Sequence, residues 1–584
     1  GDSIHMAYRS NALICTCTNC TDCTEKLNNA SCYIVSLIND TNSTATCIDD
    51  PWNFNNKIFD CNGNSITGTG SNDGIYLSSQ ENNTIRNCNI TNFNYNIRVR
   101  GASKNINIKN CTITNPDIYG IYVVDSITEN ITVSNSTFYT TNADGIWLRD
   151  GLNHTIQGCT AFIHGLGDIA YDLQADYSNL DSSNAFVYGN GSYGAYVRGI
   201  AVTINNSAIN MYGKSSPGIS LVEDNCNVKN TTVTTYMEDS PAVRINSASK
   251  CNISNNRFYS YNSSAVKISG STSAEFNHTI ENNTEQDIPI YYLFNYALPF
   301  ENKTAGQLVV AESDNLRVRN ITLEKDGIEV LYSNNVTIEN STINISTKKT
   351  YALRLYESPN TAITNIDITT NGDMSDGVYF DSSDNCTVAD STINTAGEGS
   401  YSVNLRSTSG CSISNNIVNA FGGAGGEFGV IWSSGAIPAT AIYLHGSDNN
   451  TFVDNKLIGS GESEAIYIYN EAPWIYSEGN EFNNTYIRNF ESYIVYRESS
   501  TNPNYFKNLT IAAQPTVGKI NWQTSLSITN ALLNNSNLIV NESFISLDSS
   551  KNPQFNEAAV LTLDSSSCDN LEFYKKTGFP TTYN

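Results

Sequence analysis

The chain has 584 residues, with 57 acidic against 32 basic side chains and a formal net charge of −25. That balance leaves no basic stripe to neutralise phosphates, so it argues against nucleic acid and against an anionic membrane surface as partners. Only 15% of residues are charged, and no apolar run approaches the roughly 18 residues of a membrane-spanning helix, so no direct membrane insertion is expected. Fifteen cysteines suit an oxidising compartment, outside the cell or at its surface. Asn-x-Ser/Thr sequons recur, and Asn82, Asn130, Asn205, Asn320, Asn340 and Asn541 are candidate glycosylation sites.

Residues 1–6, with His5-Met6, read as a cloning remnant outside the fold. Residues 7–55 read as a cysteine-rich N-terminal cap, with Cys15, Cys17, Cys20 and Cys23 in a dense cluster followed by Cys32 and Cys47. In that compartment disulfides are expected there rather than zinc, with connectivity left open by the spacing. From residue 56 to 514 one phrase repeats: a short apolar strand, a polar turn, then a second alternating strand. Gly74-Ile75-Tyr76-Leu77, Gly120-Ile121-Tyr122-Val123 and Gly145-Ile146-Trp147-Leu148 are three copies. The period is about 22 to 26 residues, one coil of a solenoid. Alternation of apolar residues turns one face of each strand inward, and β-branched residues without a 3.6-residue stripe exclude a helical reading. Coils stacked in parallel at about 4.8 Å give about 17 turns and a rod on the order of 80 Å.

The fold class expected is therefore all-β, a single-stranded parallel β-helix. Insertions interrupt it near 275–307 and 421–436, and residues 515–584 form a small β-rich C-terminal module or cap. In the first insertion, Tyr291, Tyr292, Phe294 and Tyr296 are the candidate ligand or partner surface, because aromatic faces suit sugar rings and interfaces. Cys226 and Cys251, and likewise Cys386 and Cys411, stand one coil apart at equivalent places in the repeat. Equivalent positions about 5 Å apart are within reach of a disulfide, so bridges Cys226–Cys251 and Cys386–Cys411 are expected. Cys88 and Cys111 follow Asn in mid-strand and are expected as reduced thiols in the core.

The repeat resembles the right-handed parallel β-helix repeats of archaeal surface proteins and of the NosD-like and pectate-lyase-like superfamily, over roughly Phe59 to Gln514. The opening, from Cys20-Thr21-Asp22-Cys23 through Phe59-Asp60-Cys61-Asn62-Gly63, is similar to the entry segment of archaeal secreted β-helix proteins. The resemblance implies a right-handed coil and is nearly silent on function. Metal delivery, which NosD would suggest, finds only four methionines and five histidines to work with.

One stretch resembles the polygalacturonases. Asn142-Ala143-Asp144-Gly145-Ile146 is similar to that family's Asn-Thr-Asp-Gly-Ile, Asp168 falls about one coil later, and Arg244 in Val243-Arg244-Ile245 resembles its Arg-Ile-Lys. The departures are Gly167 for the first of the paired aspartates, Asn190 for the histidine and Asn246 for the lysine. Catalysis would require Asp144, Asp168 and Arg244 to converge on one outer face, within about 5 to 10 Å of each other. Asp373, Asp376, Asp381 and Asp384 lie close in sequence and are candidate calcium ligands, the one cofactor expectation; solvated acidic corners are the simpler account. The leading reading is a non-enzymatic extracellular or cell-surface protein, a rigid structural or adhesive element contacting glycans or another cell-surface protein. The alternative is a carbohydrate-active enzyme, a polysaccharide lyase or polygalacturonase-like glycosidase, working in a groove on the β-helix.

Overall fold

The computed structural model describes residues 13–422, 438–460, 462–471, 475–512, 518–540 and 544–563. They form a parallel β-solenoid of about 20 turns with almost no helix, divided into two compact units, Gly1–Asp287 and Ile288–Asn584.

In the first unit each turn supplies a strand to each of three parallel sheets. A twelve-stranded sheet runs from Leu13–Cys17 to Thr279–Glu281, and a ten-stranded sheet runs from Ile48–Asp49 to Val266–Ser269. The third follows from Thr112–Thr114 through Thr137–Thr140 and Thr160–Ile163 to Arg257–Ser260. Register is kept residue for residue: Ile97 lies opposite Ile75 and Ile121, and Val99 opposite Leu77 and Val123. All six are fully buried. Full burial of each such side chain contributes about 1.5–3 kcal/mol, and stacking like on like makes the core continuous along the axis.

Asparagine makes the corners. Asn87, Asn110 and Asn135 occupy one corner in successive turns with φ of 55°, 53° and 50°, followed by Gly158 at 63°. Asparagine tolerates the left-handed backbone better than other side-chain-bearing residues. The residue after each of these corners points inward and is small, a serine or a cysteine: Cys88, Cys111, Ser136 and Cys159 are all buried. Ser183 and Ser207 are buried as well. The Cys111 amide donates to Ser136 Oγ (3.1 Å), Cys159 to Ser183 Oγ (3.1 Å) and Ser183 to Ser207 Oγ (3.2 Å). These hydroxyls satisfy amides that the corner removes from the sheet ladder. On the outside, Asn82, Asn105 and Asn130 form an amide ladder at 2.9 and 3.1 Å.

Four disulfides cluster near the start of the described chain: Cys15–Cys32, Cys17–Cys23, Cys20–Cys47 and Cys61–Cys88. The last corrects the expectation of a free thiol at Cys88. Asp60 lies opposite Arg86, so Cys88 stands one position out of register with Cys61, and the two side chains lean together with Cα atoms 4.8 Å apart. The expected bridges Cys226–Cys251 and Cys386–Cys411 are absent, and all four residues are buried free thiols. Each pair does stand on adjacent turns, but in strict register: Asn227 faces Asn252 and Thr387 faces Ser412. Their Cα–Cβ bonds therefore run parallel rather than converging. The sulfurs turn to main-chain carbonyls, with Cys226 Sγ 3.2 Å from Glu223 O and Cys386 Sγ 3.5 Å from Ser358 O. Cys111 is likewise a buried free thiol.

In the second unit a parallel sheet runs from Ile288–Phe294 through Asp376–Asp381 to Ser492–Tyr496. Buried Phe452, Phe482 and Phe506 stack at 4.4 and 4.6 Å, and the buried amides of Asn450, Asn480 and Asn504 form an internal ladder. The end of the described chain turns antiparallel. Lys519–Ile528 pairs antiparallel with Asn504–Ala512, and buried Trp522 donates its indole N–H to Phe555 O. The segment read as a loop insertion near 275–307 is instead built of regular structure: a short 3-10 turn at Ser273–Phe276, and strands Thr279–Glu281, Asn283–Glu285, Ile288–Phe294 and Phe300–Ala305. The glycine-rich insertion lies mostly outside the described residues.

Candidate functional site

At alternate register positions the ten-stranded sheet of the first unit turns one side chain per turn outward, so outward residues line up in columns with a spacing of about 4.8 Å along the axis. One column reads Tyr76, Arg98, Tyr122, Trp147, Asp172 and Tyr196. Three residues earlier on each strand a second column includes Tyr95, Tyr119 and Asp144. At this spacing aromatic rings must stack. Tyr119 lies 5.2 Å from Tyr122 and 4.8 Å from Trp147, and Tyr193 lies 4.8 Å from Tyr196.

Charged groups are set among the rings. Arg198 forms a two-pronged ion pair with Asp172, Nε to Oδ1 at 3.2 Å and Nη2 to Oδ2. Its guanidinium also lies 5.4 Å from the Trp147 ring centroid and 5.0 Å from that of Tyr196. Burial pushes the Asp172 carboxyl up to about 6 despite Arg198. Asp144 opens the strand Asp144–Leu148 and accepts the Ile169 amide at 2.6 Å. Burial pushes its carboxyl up to about 7; the amide opposes that shift, and the charges of Asp168 and Asp172 add to it. Asp168 is also raised by burial, and the Ala143 amide opposes this. A Cβ at residue 165 would collide with Asp168 Oδ2, so Gly165 makes room for the carboxylate. Among the described residues, Asp168 Oδ2 and the Trp147 indole nitrogen are buried polar atoms without a hydrogen-bond partner. Such atoms are costly unless something else satisfies them.

The structure thus brings together Asp144 and Asp168 but not Arg244. Arg244 lies two turns beyond Tyr196 in its column and is held by Asp239 at 3.5 Å. The cation beside the carboxylates is Arg198, which motif matching passed over. The available signal was its interval of one coil from Asp172.

The four tyrosine-insertion residues do not form a loop surface. Tyr291, Tyr292 and Phe294 lie in the strand Ile288–Phe294, paired with Gln307–Ala311, and Tyr291 and Tyr296 pack against the core of the second unit. The calcium candidates also fail to converge. Asp373 pairs with Lys348 at 2.7 Å, Asp376 is buried, Asp381 ends the same strand five residues later, and Asp384 accepts the Ser409 amide. Five strand residues span roughly 16 Å, too far for one ion. No group of three metal-binding side chains occurs among the described residues. Asn82, Asn130, Asn320 and Asn340 are exposed and have positive φ. Asn205 donates to Asp181 Oδ1 at 3.1 Å, and the hydroxyl of its sequon, Ser207, is buried. Asn541 lies outside the described residues.

A family model described as the right handed beta helix region matches residues 3–177 and 300–437, more than half of the chain. The chain belongs to the right-handed β-helix family. Among solved structures, this β-helix protein is similar to a periplasmic alginate epimerase, AlgG, at 11% identity over 66% of this chain and 77% of that one, with a TM-score of 0.22. It is similar to the tailspike of E. coli bacteriophage HK620 at 11% identity over 79% and 77%, with a TM-score of 0.26. A mannuronan C-5 epimerase module from Azotobacter vinelandii aligns at 11% identity over 83% and 91%, with a TM-score of 0.18. These likenesses concern the fold. None of the curated proteins matches the sequence.

Proposed function

We propose that this β-helix protein is an extracellular glycan-binding protein, a rigid surface or adhesion element that holds carbohydrate on the outward face of its ten-stranded sheet. The observation that carries the reading is the set of stacked rings around the Asp172–Arg198 pair, with the Trp147 indole N–H beside it unpartnered among the described residues. Rings contact the apolar faces of sugars, while an indole N–H, a guanidinium and carboxylates bond their hydroxyls. The four disulfides support an oxidising compartment.

The test is calorimetric titration of neutral and acidic oligosaccharides into the purified protein, its Trp147→Ala variant and a Lys109→Ala control on the twelve-stranded sheet. Trp147→Ala is expected to weaken binding about tenfold or more, on the order of 1.4 kcal/mol, with the control unchanged. Equal affinities for the protein and Trp147→Ala would remove the ten-stranded face from the argument.

A second reading, that the same face also cleaves the glycan it holds, is favoured by Asp144. A carboxyl still half-protonated near pH 7 beside a second carboxyl is an arrangement suited to acid–base work. New reducing ends or unsaturated uronate, lost in Asp144→Asn with binding retained, would support it. Silence of the unmodified protein on every glycan it binds would sink it.

A further inference from the structure

We infer that the second unit carries its own glycan-binding face, selective for glycans bearing carboxylate or sulfate groups. The inference extends the glycan-binding reading but stands on different residues. In the parallel sheet of residues 288–584, one outward column contains Tyr379, Asn404, Tyr443 and Tyr467. Tyr443 is stacked on Tyr467 at 5.6 Å and on Tyr401 at 4.4 Å. Two residues further along each strand, Arg406, His445 and Tyr469 succeed one another in register. The Arg497 guanidinium lies 4.4 Å from the Tyr469 centroid. The apolar platform and the cations therefore run side by side.

Three features bear on the ligand, the first two on its negative charge and the third on its hydroxyls. First, Arg406 and Arg497 are exposed cations on a chain whose formal charge is −25. Second, Arg406 bonds the Tyr379 hydroxyl and has Asp381 nearby, while Arg497 is held over a ring and not by a carboxylate among the described residues. The other titratable groups acting here are His445, Glu471, the tyrosines and two buried carboxyls, Glu464 and Asp376, each pushed up to about 7 by burial. Third, two polar atoms on the face are buried and unsatisfied among the described residues: Asn404 Oδ1, on a side chain 6% exposed, and His445 Nε2. The Asn404 amide nitrogen is already committed to Asp376 at 2.8 Å, which fixes its oxygen as an acceptor for a ligand hydroxyl. His445 lies edge-on to Tyr469 at 4.8 Å and can bond a ligand oxygen.

Arg406 and Arg497 stand three turns apart, about 14 Å along the axis. One sugar cannot reach both, so the ligand is an oligosaccharide lying along the sheet, with its acid groups on the arginine side and its ring faces on Tyr443 and Tyr467. A guanidinium serves a carboxylate and a sulfate alike, so the anionic group is the recognised chemistry.

The experiment titrates three probes into the intact protein: a polyuronate oligosaccharide, a sulfated oligosaccharide and a neutral glucan oligosaccharide. The variants are Trp147→Ala, the double substitution Arg406→Gln/Arg497→Gln, and all three together, with thermal unfolding recorded for each. Both arginines are exposed, so unfolding is expected to be unchanged. An anionic probe is expected to bind Trp147→Ala, to weaken at least tenfold with the two glutamines, and to lose affinity steeply with added salt. A carboxylate-only or sulfate-only response identifies the group and supports the inference. Three results would overturn it: anionic binding unaffected by the two glutamines, anionic binding abolished by Trp147→Ala alone, or neutral glucan binding this face as tightly as the anionic probes. The second of these leaves the first face standing, and anionic binding that ignores Trp147→Ala but falls with the glutamines supports the second face even if the first fails.

Discussion

Asp376 makes the buried charge of the second unit measurable. It is 6% exposed and accepts the Tyr401 amide at 2.9 Å and the Asn404 side-chain amide at 2.8 Å. Burial outweighs both bonds and pushes the carboxyl from 3.8 up to about 7. Between those values the folded chain keeps a proton that the unfolded chain has released. The linkage slope is then negative, and this group's contribution to stability falls as pH rises from about 4 to about 7. At 1.36 kcal/mol per unit the loss reaches about 4 kcal/mol as an upper bound. Asp376→Asn removes the titration and keeps an acceptor for the Tyr401 amide. Urea unfolding at pH 4, 5.5, 7 and 8 should show the variant gaining on the parent by a few kcal/mol across the series, with nearly all the gain below pH 7.5. Asp144, Asp172 and Glu464 carry the same sign. His154, pushed down to about 4 by burial, carries the opposite sign between about 4 and 6.5. The comparison is therefore between variant and parent at each pH, where those contributions cancel. A constant difference across the series would refute the claim that Asp376 is buried as a neutral acid.

Other perturbations test the core, the staple and the corners. Phe482 is sandwiched between Phe452 and Phe506, all three fully buried; Phe482→Ala should cost about 3–5 kcal/mol in urea unfolding, and Phe482→Leu clearly less. The Cys61–Cys88 bridge closes a 27-residue separation, and replacing both cysteines by serine should cost about 3 kcal/mol and lower the thermal midpoint. Peptide mapping without reductant should recover the Cys61–Cys88 pair linked and Cys226, Cys251, Cys386 and Cys411 alkylated as thiols; finding Cys226 joined to Cys251 would show that strict register does not keep such thiols apart. Asn105 holds φ of 55° and bonds Asn82. Asn105→Ala should cost about 1–2 kcal/mol in the same unfolding assay, and Asn105→Gly should recover the part due to backbone strain.

How far the sequence could be read follows from what a solenoid repeats. Inward apolar residues and left-handed corner residues, mostly asparagine, recur turn after turn, so Gly145-Ile146-Trp147-Leu148 announces a strand without knowledge of its neighbours. The fold was legible for that reason, and so was the nearness of Asp144 and Asp168, one coil apart. Coil spacing tells which residues share a level but not which way their side chains lean. Cys226 and Cys251 stand on adjacent turns in strict register and remain unbridged thiols, while Cys61 and Cys88 are offset by one and join. The same gap hid Arg198, whose role depends on a side chain reaching back across one turn to Asp172.

The asparagine-rich composition has a physical origin that bears on how the sequons are read. Each turn needs a left-handed residue at its corner and, just after it, a small inward group to receive the amide of the turn before. Asn206 followed by Ser207 meets both needs, with φ of 51° and a hydroxyl accepting from Ser183. With Asn205 ahead of it, that corner spells a sequon whose serine is buried. Asparagine density here is thus a requirement of the corners, whether or not any sugar is attached. The outward columns are under no such requirement, since alternation asks only that they not be core. Tyrosine, tryptophan and arginine gathered there, against a background of Asn, Ser and Thr, are what the fold does not explain, and recognition of a ligand is the explanation argued for both faces.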